Sequence, residues 1–427
     1  MKKDSYARIW LKDFWEIAVH ELKKIFSDSG VMLIFFVAGL AYPILYNMIY
    51  LNGLVEDTPV AVVDMADCSD SRRFIREVDA TREVKVAYHC LNMAEAEQLM
   101  KERKVKGIFY FPSDFGDELA GMRTATVSVY CDMSSFLYYK NSLMAANHVM
   151  LAEMGKIQIQ RYSAAGYTGQ EALQLVQPLP YGENSPYNRT FAYNIFLLSA
   201  ILLVIVQQTM FYGMSLLAGT MREENRSFAT LPDRLAGHGV GRVVLGRGAA
   251  YWVVYLGITM YITMIVPAIF GMPQRGSFWD TLLLDMFFVA DCVFFSMTWS
   301  SLINKRETVF VLFLFMSPIC LFLTGTSWPA AAFPGFWKVF SWIFPTTFGA
   351  RMFMNTSVAG GDLSAGLSQF TCITLQTMVY FALAMVSIYV ENLAIKHRET
   401  LEEAKERLRS KVGIDTAADV RAIRGDE

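Results

Sequence analysis

The sequence predicts an α-helical integral membrane protein with six transmembrane helices, an N-terminal amphipathic helix and an inserted extracytoplasmic α/β domain. Three observations carry that prediction. The block Tyr193–Ala218 runs 26 residues without a Lys, Arg, Asp or Glu, more than the roughly 20 a helix needs to cross a bilayer. Hydrophobic residues make up 54% of the 427-residue chain and charged ones only 18%, where a soluble chain carries about a quarter charged. A polar stretch, residues 54–190, separates one early apolar block from five later ones.

In residues 1–30, Ile9, Trp10, Phe14, Ile17, Ala18, Leu22 and Ile25 recur at helical spacing, with Lys12, Asp13, Glu16, His20 and Lys23 between them. That pattern suits a cytoplasmic helix lying in the membrane interface; an amphipathic helix docked on protein is the alternative. Residues 31–53 hold the first span, in which Pro43 predicts a kink. The apolar core is too long for a cleavable signal, and no small-residue cleavage site follows it.

Within 54–190, Val60–Met65, Val84–His89, Val105–Phe111 and Ala125–Cys131 read as short buried strands. Helical patterns at Ser71–Asp79, Met93–Arg103 and Phe115–Leu119 separate them. The alternation predicts an α/β domain with partly parallel pairing. A long amphipathic helix over Ser134–Ala165 follows, its apolar side expected at Phe136, Leu143, Met144, Met150, Leu151, Met154 and Ile157. Cys68, Cys90 and Cys131 fall in this domain and leave one disulfide open, with no pairing assigned. None of the six cysteines has metal-ligand spacing.

Residues 191–394 carry spans two to six: the opening block, then Val243–Phe270, Thr281–Ile303, Val309–Gly325 and Phe370–Ala394. Between the last two, within 326–353, Phe336–Phe344 is apolar but too short to cross. Flanked by Pro334 and Pro345, it reads as a re-entrant or interfacial pair of half-helices. Lys and Arg crowd one set of short segments, including Lys23, Lys24, Arg222, Arg242, Arg247, Lys305 and Arg306. The other set offers only Arg275, Lys338 and Arg351. Both termini, with the tail 395–427, are therefore expected in the cytoplasm and the α/β domain outside it.

Several runs resemble the permease subunits of type-2 ATP-binding-cassette (ABC) exporters, in the subgroup with a large extracytoplasmic domain between spans one and two. HELKKIFSDSG is similar to that family's elbow helix. PVAVVDMADCSDS with MAEAEQLMKERKVKGIFYFPSDFGDEL is similar to its ectodomain opening. TMREENRSFATL lies where the family has a charged segment between spans two and three. LTGTSWPAAAFPGFWKVFSWIFPTTFGARMF is similar to its Gly and Pro signature around the half-helices, the most specific of these matches. Ser227–Phe228 stand where the family usually has Gly-Thr.

The resemblance implies a coupling segment, 219–242, whose Arg222, Glu223, Glu224, Arg226 and Phe228 dock on a separate ABC ATPase subunit. It implies a second copy or close homologue completing a dimer, and an outer gate around Gly325, Trp328, Pro329, Pro334 and Pro345. The ectodomain is then placed to cap the exit or to dock a periplasmic adaptor and outer-membrane channel. The setting it implies is the bacterial inner membrane.

No GxxxxGK[ST], HExxH or GxSxG occurs, and the glycine-rich run Gly237–Gly248 fails GxGxxG spacing. The chain is therefore expected to be no enzyme and to bind no cofactor or metal itself, with ATP-Mg on the partner subunit. A net charge of -2 with no domain-scale basic patch excludes nucleic acid as a partner. Inside the apolar blocks, Asp285 and Asp291 lie on span four and Gln207 and Gln208 on span two. A carboxylate at mid-bilayer costs about 2.5–3.5 kcal/mol, so such groups face a cavity or a partner. They are candidates for a translocation pathway, with interhelical hydrogen bonding as the alternative. Asp285 and Glu391 lie toward span ends, within reach of interfacial water.

Two functions follow. One is an exporter subunit that moves an amphiphilic drug, lipid or lipid-linked molecule out of the membrane. The other is a non-transporting scaffold or receptor whose ectodomain binds partners.

Overall fold

The computed structural model describes residues 6–179, 188, 192–223 and 239–412. It divides into two compact units, Asn52–Pro186 and the remainder of the chain on either side. Among the described residues, six helices are long and apolar enough to cross a membrane: Ser29–Ile49, Tyr193–Glu223, Val240–Ile269, Phe278–Ser300, Arg306–Leu323 and Leu363–Ala394.

Helix α1 (Tyr6–Ser27) docks along a later helix, burying Asp13, Ile17, Ala18, Glu21 and Ile25. Leu11, Trp15 and Phe26 stay exposed. Asp28 then caps α2 (Ser29–Met32) by accepting from the Val31 N–H at 3.0 Å. The helix widens to i→i+5 bonding over Leu33–Ala38 and resumes as α3 (Gly39–Ile49), which runs on through Pro43.

In the inserted unit, β1 (Thr58–Asp64), α4 (Ser69–Asp79), β2 (Val84–Cys90), α5 (Met93–Lys101), β3 (Gly107–Phe111), α6 (Phe115–Ala120) and β4 (Ser128–Cys131) build one sheet of order β2-β1-β3-β4. Strand β1 pairs in parallel with β2 and β3, while β4 closes the edge antiparallel. Alternation along the strands sends Val60, Val62, Phe109 and Phe111 to one face, against Phe74 and Val78 of α4. Ala61, Val63 and Ile108 go to the other, against Ala96 of α5. Asp64 organises the first turn: one carboxylate oxygen accepts from the Ala66 and Asp67 N–H groups, the other from the Ser71 hydroxyl.

Helix α7 (Phe136–Ala164) packs on the sheet, followed by α8 (Gly169–Val176). Its buried face is Asn141, Ser142, Ala145, Ala146, Val149 and Glu153, which corrects the expected apolar side. Phe136, Leu143, Met150, Leu151 and Met154 are exposed. The small side chains win because they let the helix approach the sheet closely; an added Cβ on Gly107 of β3 would lie 2.8 Å from the Ser142 hydroxyl. Two polar members of the face are partnered. The Asn141 amide donates to the Thr58 hydroxyl at 2.9 Å, and Glu153 accepts from Arg73 at 2.6 Å and Lys156 at 2.8 Å. All six cysteines are free thiols, and burial pushes those of Cys90 and Cys131 up.

The second unit continues with α9 (Tyr193–Glu223), α10 (Val240–Met260), an i→i+5 stretch Tyr261–Ile265, α11 (Val266–Ile269), α12 (Phe278–Ser300) and α13 (Arg306–Leu323). Short helices α14 (Gly335–Ser341) and α15 (Pro345–Phe353) follow, then a third wide stretch, Met354–Val358, and α16 (Leu367–Val412). Helix α9 is central, buried along 83% of its most apolar window, against 17% for α13. Arg242 and Arg247, counted above as charges of a short segment, lie within α10 at 5% and 1% exposure. They are held there by α1: Arg242 reaches Asp13 at 2.8 Å, and Arg247 faces Glu21 at 3.6 Å.

Candidate functional site

Polar groups inside the helical unit gather where regular helix is interrupted. Phe344 precedes α15 and has no polar side chain to cap it, and Pro345 at the first position has no N–H to satisfy. The next donor, the Thr346 N–H, is met by a neighbouring helix: the Gln207 side-chain oxygen accepts from it at 2.8 Å. The Gln207 amide also approaches the Cys320 sulfur of α13 at 3.6 Å.

The carbonyls of the break between α14 and α15 are answered from the other side. Gln376 of α16 donates to the Trp342 and Ile343 carbonyls at 3.0 and 2.9 Å, and the Tyr380 hydroxyl donates to Ile343 at 2.6 Å. Thr347 bridges back to the Ser341 carbonyl at 2.6 Å. Non-helical backbone inside an apolar bundle is tolerated only when protein satisfies it. Two spans therefore clamp the broken pair.

The expected pathway residues separate into different environments. Gln207 and Gln208 are both buried on α9. Asp291 is fully buried on α12, and neither of its oxygens finds a hydrogen-bond partner among the described residues. Asp285 is equally buried, not wetted as its position suggested. Thr263, in the wide stretch after α10, donates to one of its oxygens at 2.7 Å, and the other finds no partner among the described residues. Of the outer-gate set, Gly325 adopts φ +85°, Trp328 is 60% exposed, Pro334 precedes α14 and Pro345 opens α15.

Of the expected coupling residues, Glu224, Arg226 and Phe228 lie outside the described residues. Arg222 and Glu223 end α9 and are engaged within the chain. Arg222 donates to the Ser300 carbonyl at 2.8 Å and to that of Ile303, where α12 ends, and pairs with Glu391 of α16 at 3.3 Å. Glu223 accepts from the Arg306 N–H at 2.8 Å, capping α13. Four helices are thus tied at the point where the chain leaves α9.

Sequence reasoning did not single out Gln376, Tyr380, Thr263 or the α1 carboxylates. A Gln and a Tyr one helical turn apart, facing a proline-flanked break, were the available signal.

Six membrane-length helices with a clamped broken pair define a multi-pass membrane protein. The chain belongs to the ABC-2 family transporter proteins, whose family model matches residues 30–386. That family supplies the membrane subunit of a transporter whose ATPase activity lies in a separate subunit, so an ABC ATPase is the implied partner. No curated protein matches the chain.

Proposed function

We propose that the chain is the membrane half of an ABC exporter that moves an amphiphilic molecule out of the cytoplasmic membrane of a bacterium. Two copies, or this chain and a close homologue, enclose the path. Two ATPase subunits dock beneath them, with both termini and the segment after α9 on the ATPase side. The inserted α/β unit faces outward, free to cap the exit or receive a periplasmic adaptor and outer-membrane channel. Gln207, Gln208, Asp285 and Asp291 belong to the path, and the Gly325–Phe353 region to its outer gate.

The observation that carries this reading is the knot at Arg222 and Glu223. A push on the segment after α9 reaches the ends of α9 and α12, the start of α13 and the side of α16 together. Gln207 then carries the α9 displacement to α15. The test is coupling. Phe228→Ala with Arg226→Ala, in the complex purified with its ATPase, should leave ATP hydrolysis running while export stops. Hydrolysis and export both at wild-type levels would overturn the docking role.

A further inference from the structure

A pocket of about 440 Å³ opens between the first turn of α9, the end of α13 and the segment from α15 to α16. Its size falls in the usual range for small-molecule sites. Phe196, Ala350 and Met354 form its apolar wall, and its polar lining is Thr326, Arg351, Asn355 and Gln369.

What distinguishes the lining is its excess of donors. The half-buried Arg351 guanidinium makes one hydrogen bond, from Nε to the Thr324 carbonyl at 3.2 Å, and has no carboxylate partner among the described residues. Its two terminal nitrogens are left to a ligand. The Gln369 oxygen accepts from Ser368 at 2.8 Å, which leaves its amide N–H₂ for a ligand, and the Thr326 hydroxyl lies 3.1 Å from that of Thr324. No lining residue is acidic. Gly325 keeps the space open; its φ of +85° disfavours a side chain, and a Cβ there would stand 3.2 Å from Arg351 Nη2.

We propose that this pocket recognises the anionic phosphate head of an amphiphile. Arg351 gives the charge-assisted contact, and Thr326, Asn355 and Gln369 reach the remaining oxygens. Phe196 and Met354 take the start of the apolar chain. A zwitterionic head is disfavoured because its cationic group meets the Arg351 charge and no acidic residue in the lining. The proposal deepens the export reading by naming the class of substrate, and it rests on that reading for calling the occupant cargo.

The test is lipid binding to the purified full-length chain in micelles, followed by native mass spectrometry. Phosphatidylglycerol and phosphatidylcholine of identical acyl chains are titrated, and inorganic phosphate is added as competitor. Phosphatidylglycerol should bind about tenfold more tightly, the scale of one hydrogen-bonded charge contact. Arg351→Gln should abolish that preference and Arg351→Lys restore part of it. Gln369→Ala, which touches no charge, should weaken it without altering the melting temperature. Equal binding of the two lipids, or an unchanged preference in Arg351→Gln, would overturn the site. Displacement by inorganic phosphate at concentrations comparable to the lipid would overturn the amphiphile. Since no ATPase enters this experiment, its failure leaves the coupling result of Phe228→Ala untouched, and the reverse also holds.

Discussion

Gln207, midway along the most buried helix, accepts a hydrogen bond from the Thr346 N–H at 2.8 Å and so caps a helix to which it does not belong. The contact joins residues 139 positions apart. Gln207→Leu keeps the volume and leaves that donor buried and unmet, at a cost of about 1–3 kcal/mol. The melting temperature in detergent should fall, and cysteine labelling around Trp342–Phe344 should speed up. Unchanged labelling would mean that the break is held without Gln207.

The α1–α10 contact predicts a second loss. Glu21 is 1% exposed and faces Arg247, accepts from the Tyr251 hydroxyl at 3.1 Å, and lies 3.6 Å from Lys24. Removing one side of a buried pair strands the other, typically at about 3–5 kcal/mol. Glu21→Ala should therefore destabilise the protein far more than Glu21→Gln, which keeps an acceptor for Tyr251. Thermal unfolding of the two variants decides it.

Close packing between the first two long helices gives a third. A Cβ on Gly213 would lie 1.9 Å from the Phe35 ring. Small residues at such crossings let helices approach within a bilayer. Gly213→Ala should cost roughly 1–3 kcal/mol through overpacking, and Phe35→Leu in the same chain should recover part of it. A melting temperature equal to wild type in the single variant would refute the contact.

The inserted unit should loosen in acid. Burial opposes the charge on Glu153, but hydrogen bonds from Lys156 and Arg73 overcome it and hold the carboxyl below its ordinary value of 4.5. A carboxyl with a depressed folded value contributes stability that is complete above the unfolded value and lost as pH falls through the folded one. Stability should thus be level above about pH 5 and decline beneath the ordinary glutamate range. Glu153→Gln should flatten that decline. Hydrogen exchange of Phe136–Ala164, corrected for intrinsic rates, reads it directly.

Hydropathy located the six membrane-length helices because length and absence of charge are local properties, although the last runs Leu367–Val412 where Phe370–Ala394 was expected. The opening block Tyr193–Ala218 became Tyr193–Glu223, and the strand read at Val84–His89 runs Val84–Cys90. What stayed hidden depends on partners distant in sequence. Arg242 and Arg247 look like interfacial charges until Asp13 and Glu21 are brought alongside. The apolar stripe of α7 misled because burial there follows closeness of approach: Ala145 and Ala146 fit where Met150 and Leu151 do not. At the candidate site, the prolines announced the broken pair, but nothing local announced that Gln376 and Tyr380 would hold it.

The wide stretch at Leu33–Ala38 holds slack. Such turns hold one residue more than a regular helix would, and each residue turns the helix by about 100°. The surplus residue is taken up inside the wide turn, so deleting a single position there closes it into regular helix and leaves buried Pro43 and Asn47 on the side they now present. A deletion within the regular stretch Gly39–Ile49 has no such slack and swings every residue beyond it by that angle, so a one-residue deletion at Phe36 should be tolerated better than one at Leu40.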